Sequence, residues 1–153
     1  MISQTAEYAL RAVVCLVGSR QAPMTTQEIS QMAKIPAGYL SKVMQALVRA
    51  GLVNSFRGLG GGFLLAKEPR ELSVYEIIQA VDPLKRIRSC PLELRSHGAQ
   101  LCALHRRLDD AMAMVEKGFR ESTIAELLWA PTKSKPLCDV GLRGKHEVRN
   151  MGQ

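Results

Sequence analysis

Two cysteines and a histidine in the middle of the chain have the side-chain types of a metal or redox site. Cys90 and Cys102 flank a polar, irregular stretch, and His105 follows Cys102 after two residues. Thiolates and imidazoles are the ligands that iron–sulfur clusters use, and they also suit zinc. Because the wide spacing of the cysteines is a weak signal, the alternative is a pair of loop thiols that react without metal.

The same groups would be the only candidates for an active site. Cys90 or Cys102 could act as the nucleophile of a thiol-dependent hydrolase, with His97 or His105 as its base. However, no oxyanion-hole loop and no motif for an orienting acid accompany these residues. The sequence therefore disfavours an enzyme.

The segments around these cysteines predict a long loop held between two helices. Ser73 with Glu76 three residues later is a capping box, which starts a short helix that ends at Asp82 and Pro83. The following residues 84–100 are polar and lack periodicity. A loop of this length is uncommon unless it has a function, so it is predicted to act as a sensor.

A regular apolar pattern begins where this loop ends. Steps of three and four residues relate Leu101, Leu104, Leu108, Ala111 and Val115. This heptad-like seam predicts a helix that pairs with a second copy of the chain, although packing on the chain's own core would give the same pattern. Ser122 is predicted to cap a final short helix. From Pro131 onward the composition predicts a disordered basic tail.

Residues 25–67 predict the part of the molecule that contacts DNA. Thr25 with Glu28 forms another capping box at the start of a short helix. Pro36 ends this helix, and a second helix follows until Gly51. The apolar face of the second helix is formed by Leu40, Val43, Met44 and Leu47. Two short helices with a polar outer face on the second are typical of proteins that read the major groove, and an ordinary helical hairpin is the alternative.

The polar face of the second helix supplies groups for bases and phosphates. Gln45 could pair bidentately with adenine, and Ser41 could bond to either type of base. Lys42 and Arg49 suit phosphates, as does the helix N-terminus at residues 25–26. Together with the hairpin described next, the predicted DNA-contacting residues are Thr25, Thr26, Gly38, Tyr39, Ser41, Lys42, Gln45, Arg49, Arg57, Gly58 and Gly60.

A glycine-rich hairpin follows the second helix directly. Strand-like runs at residues 52–56 and 62–65 flank the segment Arg57-Gly58-Leu59-Gly60-Gly61. Glycine permits the positive φ values of a tight turn, so this segment predicts a hairpin. A hairpin behind a recognition helix is a wing, and Arg57 at its tip suits a minor groove or a phosphate. The glycines do not form a nucleotide-binding loop, because a strand follows them and the Gly-Lys-Ser/Thr ending is absent.

Four short motifs resemble one known family. They are Tyr8-Ala9-Leu10-Arg11, Tyr39-Leu40-Ser41-Lys42-Val43, Ala50-Gly51-Leu52-Val53 and Arg57-Gly58-Leu59-Gly60-Gly61-Gly62-Phe63. They are similar to those of the Rrf-two (Rrf2) family of bacterial winged-helix transcription regulators, and the resemblance covers about residues 1–130. It implies a dimeric repressor or activator on a palindromic operator. The family includes iron–sulfur sensors, a nitric-oxide sensor and members without a cluster.

The resemblance also implies a ligand set for an iron–sulfur cluster. Cys90, Cys102 and His105 match the first cysteine, the third cysteine and the histidine of the cluster-binding relatives. Ser96 stands where those relatives have the middle cysteine, so the chain departs from the pattern there. A [2Fe–2S] centre is favoured over a [4Fe–4S] centre.

Two residues are candidates for a fourth ligand. One is His97, next to the missing cysteine position. The other is Glu7 of the partner subunit, because the resemblance implies an acidic ligand from the first helix in some relatives. Arg11 occupies the position where a two-iron relative has a histidine, which removes that option.

Composition and charge set the class of protein. The chain has 153 residues, 46% of them hydrophobic, and a formal net charge of +7, with the basic excess on residues 1–70 and 131–153. That distribution suits a polyanion such as DNA. Neither a membrane-spanning run nor a signal-peptide layout is evident, so a cytoplasmic protein without membrane association is expected. Cys15 is expected to be a buried structural thiol, and Cys138 an exposed one in the tail.

The predicted fold is mostly α with a small β-hairpin wing, a winged helix-turn-helix plus a long dimerisation helix. The predicted parts are a DNA-binding domain with an N-terminal helix (1–83), a sensor loop (84–100), dimerisation helices (101–130) and a disordered basic tail (131–153). The predicted function is a homodimeric, sequence-specific transcriptional repressor, not an enzyme, that senses redox state, nitric oxide or iron through the cluster. A cluster-free regulator that responds through thiols or a small molecule is the first alternative. An iron–sulfur carrier with a vestigial wing is the second.

Overall fold

The structure of the protein, a computed structural model, describes residues 2–19, 22–92, 100–132, 134 and 136. Predictions for Ser96, His97, Cys138 and most of the tail concern residues outside these ranges. The elements in chain order are α1 (Gln4–Gly18), α2 (Thr26–Ala33), α3 (Ala37–Arg49), β1 (Val53–Phe56), β2 (Gly62–Leu65), α4 (Val74–Val81), α5 (Ala103–Glu121) and α6 (Ile124–Trp129). This mostly helical architecture with one antiparallel hairpin confirms the predicted fold class.

Helix α1 lies at the centre of the core. It packs against α2, α3, α4 and β2. Every residue from Ala12 to Val17 is buried. A helix surrounded by neighbours on all sides needs apolar residues on all sides, and consecutive Ala, Val, Cys and Leu provide them. None of the helices in the described ranges is both long and apolar enough to cross a membrane.

The two helices of the helix-turn-helix have the predicted caps and faces. The Thr25 hydroxyl accepts a hydrogen bond from the Glu28 backbone, and the Glu28 carboxylate accepts one from the Thr25 backbone. Between the helices, the Ser30 hydroxyl donates to the Ile35 carbonyl at 2.6 Å and closes the turn. Ile35 is itself buried, so the turn is anchored in the core. Because α2 is fixed at both ends, it gives α3 a defined orientation.

The wing is attached to the helix-turn-helix as well as to α3. Strands β1 and β2 pair in a register that places Val53 opposite Leu65 and Phe56 opposite Gly62. The backbones of Met24 and Phe63 also exchange hydrogen bonds of 3.0 and 2.8 Å. Since Met24 immediately precedes the cap of α2, the hairpin cannot move independently of the helix-turn-helix.

Gly62 is required for this attachment, and replacing it with alanine should destabilise the protein. Gly62 has φ +149°, and an added Cβ would lie 2.5 Å from the Met24 carbonyl oxygen. We expect Gly62→Ala to lower the free energy of unfolding by about 2–3 kcal/mol, measured by urea denaturation. Gly118→Ala is the control, because a Cβ there meets nothing within 4 Å. Equal stability of Gly62→Ala and the native chain would refute the proposed clash.

The caps of α4 and α6 lie side by side. The predicted capping box of Ser73 and Glu76 is confirmed at the start of α4. The prediction that Ser122 caps the last helix was wrong by one residue, because the Thr123 hydroxyl accepts the hydrogen bond from Glu126. Ser122 instead ends α5 and accepts a backbone hydrogen bond from Val74 at 2.9 Å.

Candidate functional site

The outer surface of α3 has the exposed polar groups that a recognition helix needs. Its buried face packs Leu40, Val43, Met44 and Leu47 into the core. The remaining predicted contact residues on this helix are all exposed, namely Gly38, Tyr39, Ser41, Lys42, Gln45 and Arg49. The Ser41 hydroxyl donates to the Ala37 carbonyl at 3.2 Å, so its oxygen remains available as an acceptor. The helix therefore presents one continuous polar face to solvent.

The polar groups at the start of α2 are paired within the capping box. The Thr25 hydroxyl donates to Glu28 Oε2 at 2.8 Å. Hydrogen bonds from the Thr25 backbone and hydroxyl lower the pKa of the Glu28 carboxyl, although desolvation opposes them slightly. The ionised carboxylate completes the capping box that starts the helix. Thr26 is half-buried next to it.

The wing tip is exposed and positively charged. Arg57, Gly58 and Gly60 are exposed, and both glycines have positive φ values, +92° and +75°. Leu59 at the tip is fully exposed, a feature to which the sequence reasoning gave no role. Within the described residues, Arg57 forms no ion pair with an acidic side chain. Its guanidinium is therefore available for a partner outside the chain.

A set of contacts that the sequence did not predict supports α3 from α1. The rings of Tyr8 and Tyr39 meet edge to face, with centroids 6.2 Å apart. The Arg11 guanidinium lies 5.8 Å from the Tyr8 centroid and donates to the Ala33 carbonyl at 3.3 Å. Arg11 thus joins α1 to the end of α2, and Tyr8 joins α1 to the start of α3. Sequence distance hides such contacts, because only the fold brings residues 8 and 39 together.

Glu7, a candidate metal ligand, is paired within its own helix. Arg11 donates to Glu7 Oε1 at 2.6 Å, as a spacing of four residues on one helix face allows. A metal bound by Glu7 would have to compete with Arg11. The structure therefore gives Glu7 a role in orienting Arg11.

The loop cysteines are only partly brought together with other metal-binding groups. Cys102 Sγ lies 3.3 Å from His105 Nδ1 at the start of α5, and Cys90 is buried. Among the residues that the structure describes, no three His, Cys, Asp or Glu side chains group as a metal site requires. The candidates Ser96 and His97 lie outside those residues. Cys102 and His105 alone are too few donors to hold a cluster, so the described donor set does not fit one.

Cys15 should be chemically inert, in contrast to Cys102. Burial raises the pKa of the Cys15 thiol to about 11. A rise of two units lowers its thiolate fraction roughly a hundredfold at neutral pH, and the reagent must also reach the core. We expect iodoacetamide to label half-buried Cys102 in the native protein while Cys15 stays unlabelled until urea is added. Peptide mass spectrometry would measure both, and equal labelling rates would contradict a closed core around α1.

The long helix α5 has an unusual distribution of side chains. None of its residues is buried in the single chain. The predicted apolar seam faces solvent in the single chain, with Leu104 64%, Leu108 48% and Val115 43% exposed. Two of the carboxylates of α5 face the rest of the chain, because Asp109 and Glu116 are only 16% and 18% exposed. An apolar stripe left in water on a helix of this length marks an interaction surface.

The fold, the polar recognition helix and the wing define a winged-helix DNA-binding regulator. The family model of Rrf2, described as an iron-dependent transcriptional regulator, matches residues 2–130. The chain therefore belongs to the Rrf2 family, as its motifs indicated. Its function as a transcription regulator follows at that level.

Relatives and solved structures agree with this assignment. The chain is 30% identical to IscR of Serratia proteamaculans, an HTH-type transcriptional regulator, over 83% of this chain and 78% of the relative. Two solved structures share its fold at 23% identity. CymR of B. subtilis, the global cysteine regulator, has a TM-score of 0.67 over 83% of this chain and 95% of its own. IscR of T. potens has a TM-score of 0.68 over 84% and 85%.

Proposed function

We propose that the protein is a homodimeric, sequence-specific transcriptional repressor that binds a palindromic operator in the cytoplasm. The observation that carries this proposal is the solvent-facing apolar stripe of α5. Two copies could bury their stripes against each other and form a two-fold dimer. A two-fold dimer of winged helices matches a palindrome, because each copy reads one half-site.

Each half-site would be read by two elements. Gln45 and Ser41 on α3 contact base edges in the major groove, while Lys42 and Arg49 bind the adjacent phosphates. Arg57 enters the flanking minor groove or binds its phosphates. Tyr39, held by Tyr8, sets the position of the N-terminal end of α3. Repression is the simplest outcome, since occupancy of an operator is enough to block a promoter.

The loop between Cys90 and Cys102 would receive the signal. Its support is the contact between Cys102 and His105 at the start of α5, where a reaction of the thiol would act on the dimer helix. An iron–sulfur cluster and a cluster-free thiol response are both compatible with family membership. Since the described donor set does not fit a cluster, thiol chemistry at Cys102 is the version that the geometry favours.

Selection from a random duplex library tests the DNA-reading part of the proposal. The purified chain should enrich a palindrome, and its affinity should fall steeply with salt, since phosphate contacts release counterions. Gln45→Ala should reduce discrimination between the palindrome and random DNA more than it reduces binding to random DNA. A chain that enriches no sequence would favour the carrier function instead.

An absorption spectrum of anaerobically purified protein tests the signal. Visible bands with matching iron and inorganic sulfide would establish a cluster, and the Cys102→Ser and His105→Ala variants would then show whether the predicted ligands hold it. A colourless protein that binds the operator, and releases it after oxidation in a way that Cys102→Ser abolishes, would establish a thiol response.

A further inference from the structure

Directional polar contacts attach the long helix α5 to its own DNA-binding unit. Arg86, in the segment after α4, donates from Nε and Nη2 to the two carboxylate oxygens of Asp109, both at 2.7 Å. The Ile87 backbone N–H donates to the same carboxylate at 2.9 Å. A two-pronged guanidinium–carboxylate pair fixes an orientation as well as a distance.

A second attachment lies toward the other end of α5. Arg120 donates to Glu116 Oε1 at 3.0 and 2.8 Å, and Glu116 also lies 3.6 Å from Arg86 Nη1. The Arg120 guanidinium in turn lies over the ring of Tyr75 on α4, 3.5 Å from its centroid. These contacts connect Asp109 to the segment after α4, and Arg120 to α4 itself. The positions Asp109 and Arg120 are roughly 16 Å apart along the helix axis.

This network is shielded enough to constrain the helix. Asp109 and Glu116 are mostly covered, and Arg86 is 31% exposed. The hydrogen bonds from Arg86, opposed by desolvation, hold the pKa of Asp109 at about 2, so the pair stays ionised at neutral pH. The partly buried ring of Phe119 packs on the core near Arg120. In the N-terminal half of α5, the pair between Arg86 and Asp109 attaches the helix in the same way.

We infer that Arg86 and Arg120 are positioning residues that set the angle between α5 and the winged helix, and thereby the spacing of operator half-sites that the dimer accepts. The inference rests on the proposed dimeric function. If the α5 helices form the dimer centre, each recognition helix is carried by a unit whose orientation these contacts fix. Half-site spacing is a direct consequence of that geometry.

The polar network includes two residues at the start of the proposed sensor loop. Arg86 and Ile87 lie a few residues before Cys90, and both contact Asp109. A change in the loop would therefore have a direct route to the attachment of α5 through Arg86 and Ile87. This arrangement would let a signal alter half-site spacing while the dimer stays assembled.

The test compares affinities for a series of duplexes in which the spacer between the selected half-sites changes by one base pair at a time. Arg86→Gln with Asp109→Asn removes the ion pair without leaving an unpaired charge, which would be destabilising in itself. We expect this variant to remain dimeric and to bind a single half-site as the native chain does, but to lose its preference for one spacer length. Arg86→Lys keeps the positive charge but cannot form the two-pronged pair with Asp109, so it should retain only part of the spacer preference.

Two further variants make the test independent of folding. Arg120→Gln removes the other attachment at a more exposed position and should also broaden the spacer preference. Lys117→Gln is the matched control, since it removes one charge from the same helix in an exposed pair of 3.8 Å and should leave the preference intact. Native spacer selectivity in both the Arg86/Asp109 and the Arg120 variants, with dimers intact, overturns the inference alone. A native chain with no spacer preference overturns the proposed dimeric function and the inference together.

Discussion

A Leu104→Glu/Leu108→Glu variant is expected to be a folded monomer with almost no affinity for the palindromic operator. Both leucines are exposed in the single chain, so glutamate there leaves the core unchanged. In a dimer the carboxylates would be desolvated without partners, which is strongly unfavourable. A monomer loses the second half-site, and the loss of bivalent binding weakens affinity by about 10²- to 10⁴-fold. Sedimentation velocity and fluorescence anisotropy would measure the two effects.

Charge alone could weaken DNA binding, so the control must match it. Arg106→Gln/Lys117→Gln changes the net charge by the same two units and lies on the solvent side of α5, away from the stripe. This control should remain a dimer and keep most of its operator affinity. A Leu104→Glu/Leu108→Glu protein that still sediments as a dimer would place the dimer contact on another surface.

The parts of the fold that local sequence determines were predictable. The capping boxes at Thr25 and Ser73 depend on residues three positions apart, and the buried face of α3 repeats with the helical period. The glycines between β1 and β2 are required by positive φ values that other residues rarely adopt. Each of these signals lies within a few residues, so no knowledge of packing was needed to interpret them.

The parts that depend on packing could not be read in the same way. Arg86 and Asp109 are 23 positions apart, and no local pattern in the sequence indicates that they pair. The apolar seam correctly predicted the helix α5. It did not identify the surface that the seam packs against, because a core-facing stripe and a dimer-facing stripe have the same period. In the structure Asp109 and Glu116 face the rest of the chain while Leu104 and Leu108 lie in solvent, so the stripe does not pack on the core of the single chain. For the segment between Cys90 and Cys102, the sequence indicated Cys102 and His105 as candidates, and only three-dimensional placement shows that their side chains touch.

Replacing Arg57 with alanine is expected to weaken operator binding by about 10- to 100-fold without changing stability. Arg57 is exposed at the wing tip, so its removal breaks no contact of the core. The substitution removes a positive charge from the DNA minor groove. The negative potential of that groove is strongest where the groove is narrow. The variant should therefore lose most affinity on operators with A·T pairs beneath the wing, and Gln45→Ala should lose it at the major-groove bases instead.

The salt dependence of binding separates the two ways in which Arg57 could act. If Arg57 neutralises a phosphate, Arg57→Ala should reduce the slope of log affinity against log salt by about one and weaken binding to all duplexes alike. If Arg57 reads the minor groove, the loss should depend on the sequence under the wing and should shrink when G·C pairs replace A·T pairs there. Anisotropy titrations at several salt concentrations, on both operators, distinguish these results. Unchanged affinity in every titration would remove Arg57 at the wing tip from DNA recognition and leave α3 as the reading element.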